Sequence, residues 1–315
     1  MNKTIIAIDG GATKTALTVF DQDGTVLFST ASTGSNYQAI GQQRVQEVLT
    51  TLLSDAAAQL HDWHIDAAVF AIAGVDTNED IEIVSQIVEQ AIAASPLNIA
   101  IYVVENDVEA TLKGLIQHEP GALLISGTGA IAYGYKDATL IRAGGWGHRV
   151  GDEGSGYWLG QQVAQAIFKA YDGRGEPTIL TELVLQQQSL ASVEQLANFL
   201  YNSSYTNARL ASFGSMLQQA CDKGDVAALN IAARATDELV SLASVILKRL
   251  TIIDEPFSFY LNGGVLKNNA CIYEPFVEQL AILYPNVSVN LCSEQPIYYL
   301  QQRAQLLLQQ NETSV

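Results

Sequence analysis

An apolar run over residues 4–9 ends in Asp9 and a glycine pair, and a second apolar segment over 14–20 follows at once. That pattern predicts two strands paired through a tight turn. Asp21-Gln22-Asp23-Gly24 predicts a second hairpin, into a third strand over 25–30. Apolar positions at helical spacing then predict a long helix from about Gln38 to Leu60. A continuously apolar strand ending at Gly74, a helix over about Asn78–Ala93 opened by Asn, Glu and Asp, a strand over 98–106 and a helix starting near Asp107 complete the order β-β-β-α-β-α-β-α.

The second half repeats that order. Gly-Ala-Leu-Leu-Ile-Ser-Gly-Thr-Gly (121–129) is a strand running into a glycine turn, 130–137 a return strand and 139–145 a third. A helix follows from about Ser155 to Tyr171, then a helix-rich block from about Thr178 to Leu250 broken at Gly224-Asp225. A strand reaching Gly263-Gly264, a helix over about Asn269–Leu283, a strand over 287–292 and a last amphipathic helix end the chain. The internal repeat predicts an α/β protein of two lobes with one topology, facing each other across a cleft. The expected boundaries are 1–117 for the first lobe and 118–315 for the second. The second carries a helical insertion at about 172–252, and the final helix is a candidate to pack back on the first lobe.

Composition narrows the function classes. The chain has 315 residues, and 33 acidic against 16 basic residues give a net charge of −17. Such a field disfavours nucleic acid and anionic lipid, though backbone amides and a bound cation can still hold phosphates locally. No apolar run has the length of a membrane span and no secretory leader is evident, so the expectation is a cytoplasmic protein with neither membrane nor nucleic-acid partner. Cys221, Cys271 and Cys292 stand singly, which argues against a zinc site, an iron–sulfur cluster and a disulfide framework.

The glycine turns carry the candidate chemistry. In the first, Gly10 and Gly11 permit positive φ and close approach of amides to an anion, Thr13 adds a hydroxyl and Lys14 a cation. Asp9 has the wrong charge for a phosphate, but fits if Mg²⁺, keeping its waters, lies between them. Gly127-Thr128-Gly129 offers the same groups from the second half. Each turn alone reads equally well as a plain hairpin; together, in register, they suggest two clasps on one polyphosphate. At the third site, Gly263-Gly264 after a strand admits close approach of a ring or phosphate, with Asn268 or Asn269 able to cap the helix beyond.

Strand-Asp-Gly-Gly-x-Thr-Lys, strand-Gly-Thr-Gly and strand-Asn-Gly-Gly resemble the phosphate-1, phosphate-2 and adenosine motifs of the superfamily of sugar kinases, Hsp70 and actin. More narrowly, Ser126–Gly134 followed by Gly-Gly-Trp-Gly-His-Arg-Val-Gly-Asp-Glu-Gly-Ser-Gly-Tyr-Trp-Leu-Gly (144–160) resembles the N-acetylglucosamine kinase and BadF/BadG ATPase family over nearly the whole chain. The resemblance implies an actin-like ATPase fold of two ribonuclease H-like lobes, ATP and Mg²⁺ as cofactors, and a sugar substrate. It implies Asp107 as catalytic base, although an N-cap is the competing reading of that residue. It implies sugar contacts from Ser35, Asn36, Tyr37 and Asn106, and from Gly145, Trp146, Gly147 and Asp152, with a capping loop and a core aromatic as the competing readings of Asn36 and Trp146. Ala211 falls where relatives meet adenine. His148 reads as structural. Two-lobed kinases often pair, so a homodimer is a candidate state.

The expected activity is transfer of the ATP γ-phosphoryl group to the 6-hydroxyl of N-acetyl-D-glucosamine. The alternatives are glucosamine, N-acetylmuramic acid or another hexose as acceptor. Some relatives carry Ser-Asn where this chain has Ala130-Ile131, which removes a side chain able to touch sugar. From another class, a BadF-type ATPase would act as a nucleotide-driven switch on a protein partner; the absence of paired cysteines speaks against the cluster-sharing form of that role. A nuclease of ribonuclease H type fails on net charge and on its need for clustered carboxylates.

Overall fold

The computed structural model describes residues 3–60, 62–203 and 205–313. The chain divides into two compact units, residues 1–119 with 293–315, and residues 120–292. The expected boundary therefore moves at the C-terminus: the last helix belongs to the first unit.

In the first unit, β1 (Thr4–Gly10), β2 (Lys14–Asp21) and β3 (Val26–Thr33) form an antiparallel meander. Then come α1 (Tyr37–Ile40), α2 (Gln42–Gln59), β4 (His64–Ile72), α3 (Asn78–Ala93), β5 (Asn98–Glu105) and α4 (Asp107–Ile116). The sheet order is β3-β2-β1-β4-β5, with β4 and β5 parallel to β1. The central strand β1 is apolar at successive positions because both its faces are covered. Ile6 and Ile8 pack with Leu49, Leu53 and Val88 of α2 and α3; Ile5 and Ala7 pack with Ala110 and with Leu300 and Ala304 of the C-terminal helix. The single helix expected over 38–60 is two, because Gly41 takes φ +82° between α1 and α2.

The second unit repeats the sheet. It comprises β6 (Gly121–Ser126), β7 (Ala130–Lys136), β8 (Thr139–Gly144), α5 (Gly156–Tyr171), α6 (Leu180–Gln187), α7 (Val193–Tyr201), α8 (Asn207–Ala211), a 3₁₀ turn over Ser212–Met216, α9 (Leu217–Asp222), α10 (Val226–Arg249), β9 (Phe257–Asn262), α11 (Gly264–Asn268), α12 (Ala270–Leu283) and β10 (Val287–Leu291); α13 (Pro296–Thr313) then returns to the first unit. The order β10-β9-β6-β7-β8 mirrors that of the first sheet element for element. Its core joins Leu124 and Ala132 to Leu239, Ala243 and Ile246 of α10, and Phe259 and Leu261 to Phe276 of α12. Among the described residues no helix is long and apolar enough to cross a membrane.

Strand ends place the chemistry. In each unit the hairpin turn of the meander lies at the C-terminal end of the central strand, beside the C-terminal ends of the parallel strands. Side chains gather there because the backbone stops hydrogen-bonding to its neighbours.

Candidate functional site

The β1–β2 turn is closed by the Gly11 N–H, which donates to the Lys14 carbonyl at 2.9 Å. Among the described residues, the Ala12 and Thr13 amides have no protein acceptor, so these two, rather than Gly11, are available to an anion. Neither Gly10 nor Gly11 adopts positive φ, contrary to the expectation. Close packing explains Gly10 instead: a Cβ there would lie 2.4 Å from Ser35 Oγ. Gly34 presses still harder on the turn, since a Cβ would lie 2.2 Å from the Ala12 carbonyl oxygen. Ser35 donates its N–H to the Gly11 carbonyl at 3.1 Å, and among the described residues its buried hydroxyl has no hydrogen-bond partner. A cavity of about 270 Å³ in this unit is lined by Asp9, Gly11, Lys14, Thr18 and Ser29. Burial raises the Asp9 pKa, and the Lys14 charge works against that rise.

The loop into α1 ties this turn to its neighbour. Asn36 caps α1 by accepting the Gln38 amide at 3.0 Å, and its side chain packs on Gly74. The Tyr37 hydroxyl donates to buried Asp80, which forms a capping box with Thr77 at the start of α3. Thus Ser35, Asn36 and Tyr37 hold the backbone together at the ends of β1 and β4.

At the end of β5, Asn106 is the helix cap. Its Oδ1 accepts the Val108 amide at 2.9 Å and its Nδ2 donates to Asp76 Oδ1 at 3.2 Å. Asp107 is the first helical residue, so the competing reading of it as an N-cap does not hold. Burial raises the Asp107 pKa to about 7, with the negative charge of Asp9 as the next cause and the Val108 amide opposing. Just before it, buried Glu105 accepts two hydrogen bonds from Arg303 of α13, at 3.0 and 2.8 Å, and one from Lys113 at 2.8 Å. Burial alone would raise the Glu105 pKa; the Arg303 and Lys113 contacts more than offset it and hold the carboxyl below its ordinary value.

The second unit uses the same turn device. Gly127 N–H donates to the Gly129 carbonyl at 2.9 Å, and among the described residues the Thr128 and Gly129 amides have no protein acceptor. The Gly127 and Thr128 carbonyls accept the Gly156 and Tyr157 amides at 2.7 and 3.2 Å, which fixes the turn against the start of α5. As in the first hairpin, neither Gly127 nor Gly129 has positive φ. Gly127, Thr128, Ala211, Gly264, Asn268 and Asn269 line a cavity of about 360 Å³. Gly263 has φ +101°, and a Cβ would lie 2.1 Å from the Ser126 carbonyl oxygen; no other residue fits there. The expected capping by Asn268 or Asn269 is absent at α12. Instead Asn269 Nδ2 donates to the Val265 carbonyl at 2.9 Å, leaving its buried Oδ1 without a partner among the described residues.

The glycine-rich loop after β8 turns through left-handed φ at Gly144, Gly145 and Gly147. Arg142 donates to the Gly145 carbonyl at 2.6 Å and stacks 4.5 Å from the Trp146 ring. Trp146 is 66% exposed, which excludes a core aromatic. Asp152 is buried with φ +62°, accepts the Ala130 amide at 3.4 Å and packs against Gly129, so it sits at the second turn. Burial raises its pKa against the Ala130 and Gly147 amides. His148 pairs with Asn207 at 3.2 Å and lies edge-on to Tyr157.

Sequence reasoning missed Asp76, Gly34, Gly156 and Ser215. Asp76 had a usable signal, since Gly74-Val75-Asp76 follows a strand much as the first turn does; Ser215 had none, because the cavity wall it joins is built by helices of the insertion.

The model of the BadF/BadG/BcrA/BcrD ATPase family matches residues 6–290. The chain belongs to this family. It is 33% identical over 290 residues to the N-acetylmuramic acid/N-acetylglucosamine kinase of Clostridium acetobutylicum, covering 91% of this chain and 93% of that protein. It is 27% identical over 306 residues to the N-acetyl-D-glucosamine kinase of Dictyostelium discoideum, covering 92% and 94%. Among solved structures, a candidate N-acetylglucosamine kinase of Chromobacterium violaceum superposes with a TM-score of 0.72 at 24% identity, covering 97% of this chain and 98% of that one. A Streptomyces griseus ROK family glucokinase, solved with glucose and AMPPNP, gives 0.54 at 18%, covering 97% and 99%. The fold is that of the actin-like ATPases and ROK kinases.

Membership of the BadF/BadG/BcrA/BcrD family implies ATP, and the residues fit it. Two turns each have a pair of amides without a protein acceptor among the described residues, and Asn269, whose buried Oδ1 lacks a donor among them, lines the cavity of the second unit. Among the described residues no cluster of three His, Cys, Asp or Glu could hold a metal ion by itself. A half-buried Asp9 beside a turn whose Ala12 and Thr13 amides lack a protein acceptor among the described residues fits Mg²⁺ held mainly by water and phosphate.

Proposed function

We propose that this chain is an ATP-dependent sugar kinase that phosphorylates the 6-hydroxyl of N-acetyl-D-glucosamine. The observation that carries this reading is Asp107, a carboxylate released from capping by Asn106 and raised to about 7, where a general base at neutral pH works best. The named kinases at 33% and 27% identity over nine-tenths of the chain support the sugar acceptor.

On this reading each unit contributes groups of its own. In the first unit the Ala12 and Thr13 amides, with Lys14 and the Thr13 hydroxyl, offer donors to phosphate; in the second the Thr128 and Gly129 amides do the same. Gly10 and Gly11 keep the first turn compact. Ala211, Gly263, Gly264 and Asn269 form the adenosine side. Asp9 would hold Mg²⁺ through water. When bound, that ion screens the charge of the triphosphate. Ser35, Asn36, Tyr37 and Asn106 shape the sugar side in the first unit, and Gly145, Trp146, Gly147 and Asp152 in the second. Asp107 takes the proton of the sugar hydroxyl as its oxygen attacks the γ-phosphorus, and ADP leaves. Phosphoryl transfer asks chiefly for this positioning.

N-acetylmuramic acid is the second reading, favoured by the name of the Clostridium relative. Phosphorus and carbon NMR of the product from ATP, Mg²⁺ and each sugar tests both. A 6-phosphate of N-acetylglucosamine supports the first reading; ATP hydrolysis with no phosphorylated sugar points instead to a nucleotide-driven switch.

A further inference from the structure

Asp80, in the first turn of α3, accepts more hydrogen bonds than a helix cap needs. Its Oδ2 accepts the Thr77 amide at 2.8 Å and the Thr77 hydroxyl at 2.7 Å, while the Asp80 amide returns to that hydroxyl at 3.2 Å. This completes the capping box, which asks for nothing further. Yet the same oxygen also accepts the Asp76 amide at 3.1 Å. Oδ1 accepts the Tyr37 hydroxyl, and Gln38 Nε2 at 3.3 Å. Burial would raise the Asp80 pKa, but the Tyr37 and Thr77 hydroxyls and the Asp76 and Thr77 amides more than offset it. The carboxylate is therefore ionised at neutral pH and acts only as an acceptor.

The surplus contacts reach two other segments of the first unit. One is the loop into α1. No residue of that short helix is fully buried, so core packing alone holds it weakly. The Tyr37 ring rests against the core, and its hydroxyl is fixed by Asp80. Gln38 Nε2 adds a bond to the Gly74 carbonyl at 3.4 Å. The other segment is the loop between β4 and α3, where Asp80 fixes the Asp76 backbone. Asp76 Oδ1 in turn accepts Asn106 Nδ2 at 3.2 Å, and Asn106 caps the helix that begins at Asp107.

We propose that Asp80 is a positioning residue for the acceptor, holding residues 35–38 and the Asn106–Asp107 corner in one fixed arrangement through Tyr37 and Asp76. The proposal rests on reading the chain as a sugar kinase with Asp107 as base. The Tyr37 hydroxyl is then spent on Asp80 rather than on sugar. A loop already held loses little freedom when sugar binds, which favours affinity. The two arms differ in what they protect. Cutting the Tyr37 arm frees the loop and weakens sugar binding. Cutting the Asp76 arm also loosens the support of Asp107 and slows the transfer.

Tyr37→Phe removes the hydroxyl and keeps both the ring and the capping box. With ATP, Mg²⁺ and N-acetyl-D-glucosamine, it should raise the sugar KM about three- to tenfold, with a smaller change in kcat. Hydrogen exchange with no sugar present should show faster opening at the Ala39, Ile40 and Gly41 amides, which close α1. Asp80→Ala should raise the sugar KM similarly and lower kcat as well. The double variant should have a sugar KM no higher than Asp80→Ala alone, because Tyr37 acts through Asp80. An unchanged sugar KM in Tyr37→Phe would overturn the proposal, as would losses that multiply in the double variant. A raised KM with unchanged exchange would overturn it too, by making Tyr37 a direct sugar contact. Should Asp80→Ala fail to fold, Tyr37→Phe still decides through KM and exchange. If the unaltered protein shows no sugar-dependent ADP release, the kinase reading falls and the positioning role falls with it; an active enzyme indifferent to Tyr37→Phe sinks the positioning role alone.

Discussion

Asn106 caps the helix that begins at Asp107, accepting the Val108 amide at 2.9 Å, and so keeps the Asp107 carboxylate out of the capping role. Partial burial, then the charges of Asp9 and Asp76, raise the pKa of that carboxylate to about 7. A base acts deprotonated, so turnover should climb with pH through about 7 and level off above it. Asp107→Asn should lower kcat by roughly 10²–10⁴-fold, with binding of an ATP analogue nearly unchanged. Steady-state kinetics across pH 5–9, paired with calorimetry, reads both.

The same residue should limit stability. Its folded-state pKa lies above its unfolded value of about 3.8, so the native state binds more protons between those values and stability falls as pH rises through that window. Asp107→Asn removes this penalty, which amounts to at most about 4 kcal/mol. At pH 8 the variant should unfold at a higher urea midpoint than the unaltered protein, and at pH 3 the two should nearly coincide.

Glu105 has the opposite sign. Its pKa is held below the usual 4.5, chiefly by Arg303 against the cost of burial, so its contribution is intact above that value and is lost as pH falls through the folded pKa. Glu105→Gln leaves Arg303 buried and unpaired and should cost about 3–5 kcal/mol. Pairing it with Arg303→Met should recover most of the loss, because Lys113 keeps Glu109 at 2.6 Å. Chemical denaturation of the single and double variants measures the coupling.

How much of this was legible in the sequence depended on how local the signal was. The glycine hairpins, both three-strand meanders and the helix over Asn78–Ala93 appear where apolar spacing and turn residues put them, because each is decided within a few residues. Asn106 and Asp107 are adjacent residues of capping type, and only the length of β5 decides which one caps. The glycines of both hairpins looked chosen for positive φ, yet Gly10 answers to Ser35, a residue brought in by β3. α13 docks on the first sheet, the place for which the final helix was a candidate, although an apolar helix face alone does not name the sheet it will cover.

Gly263 should tolerate no side chain. A Cβ would meet the Ser126 carbonyl at 2.1 Å in a backbone conformation at φ +101°. Gly263→Ala should lose about 1–3 kcal/mol from the backbone alone, more from the overlap, and should bind nucleotide weakly when folded. The milder Asn269→Ala removes a cavity-lining amide together with its buried, unpartnered Oδ1. It should weaken ATP by about five- to tenfold with the sugar KM unchanged.

The most direct test of the whole account is ADP release by the purified protein with ATP and Mg²⁺, measured with N-acetyl-D-glucosamine, with glucosamine and with no sugar. The account predicts release that requires the N-acetylated sugar, matches the sugar phosphate formed mole for mole, and collapses in Asp107→Asn. Equal release with and without sugar, or full activity in that variant, would contradict it.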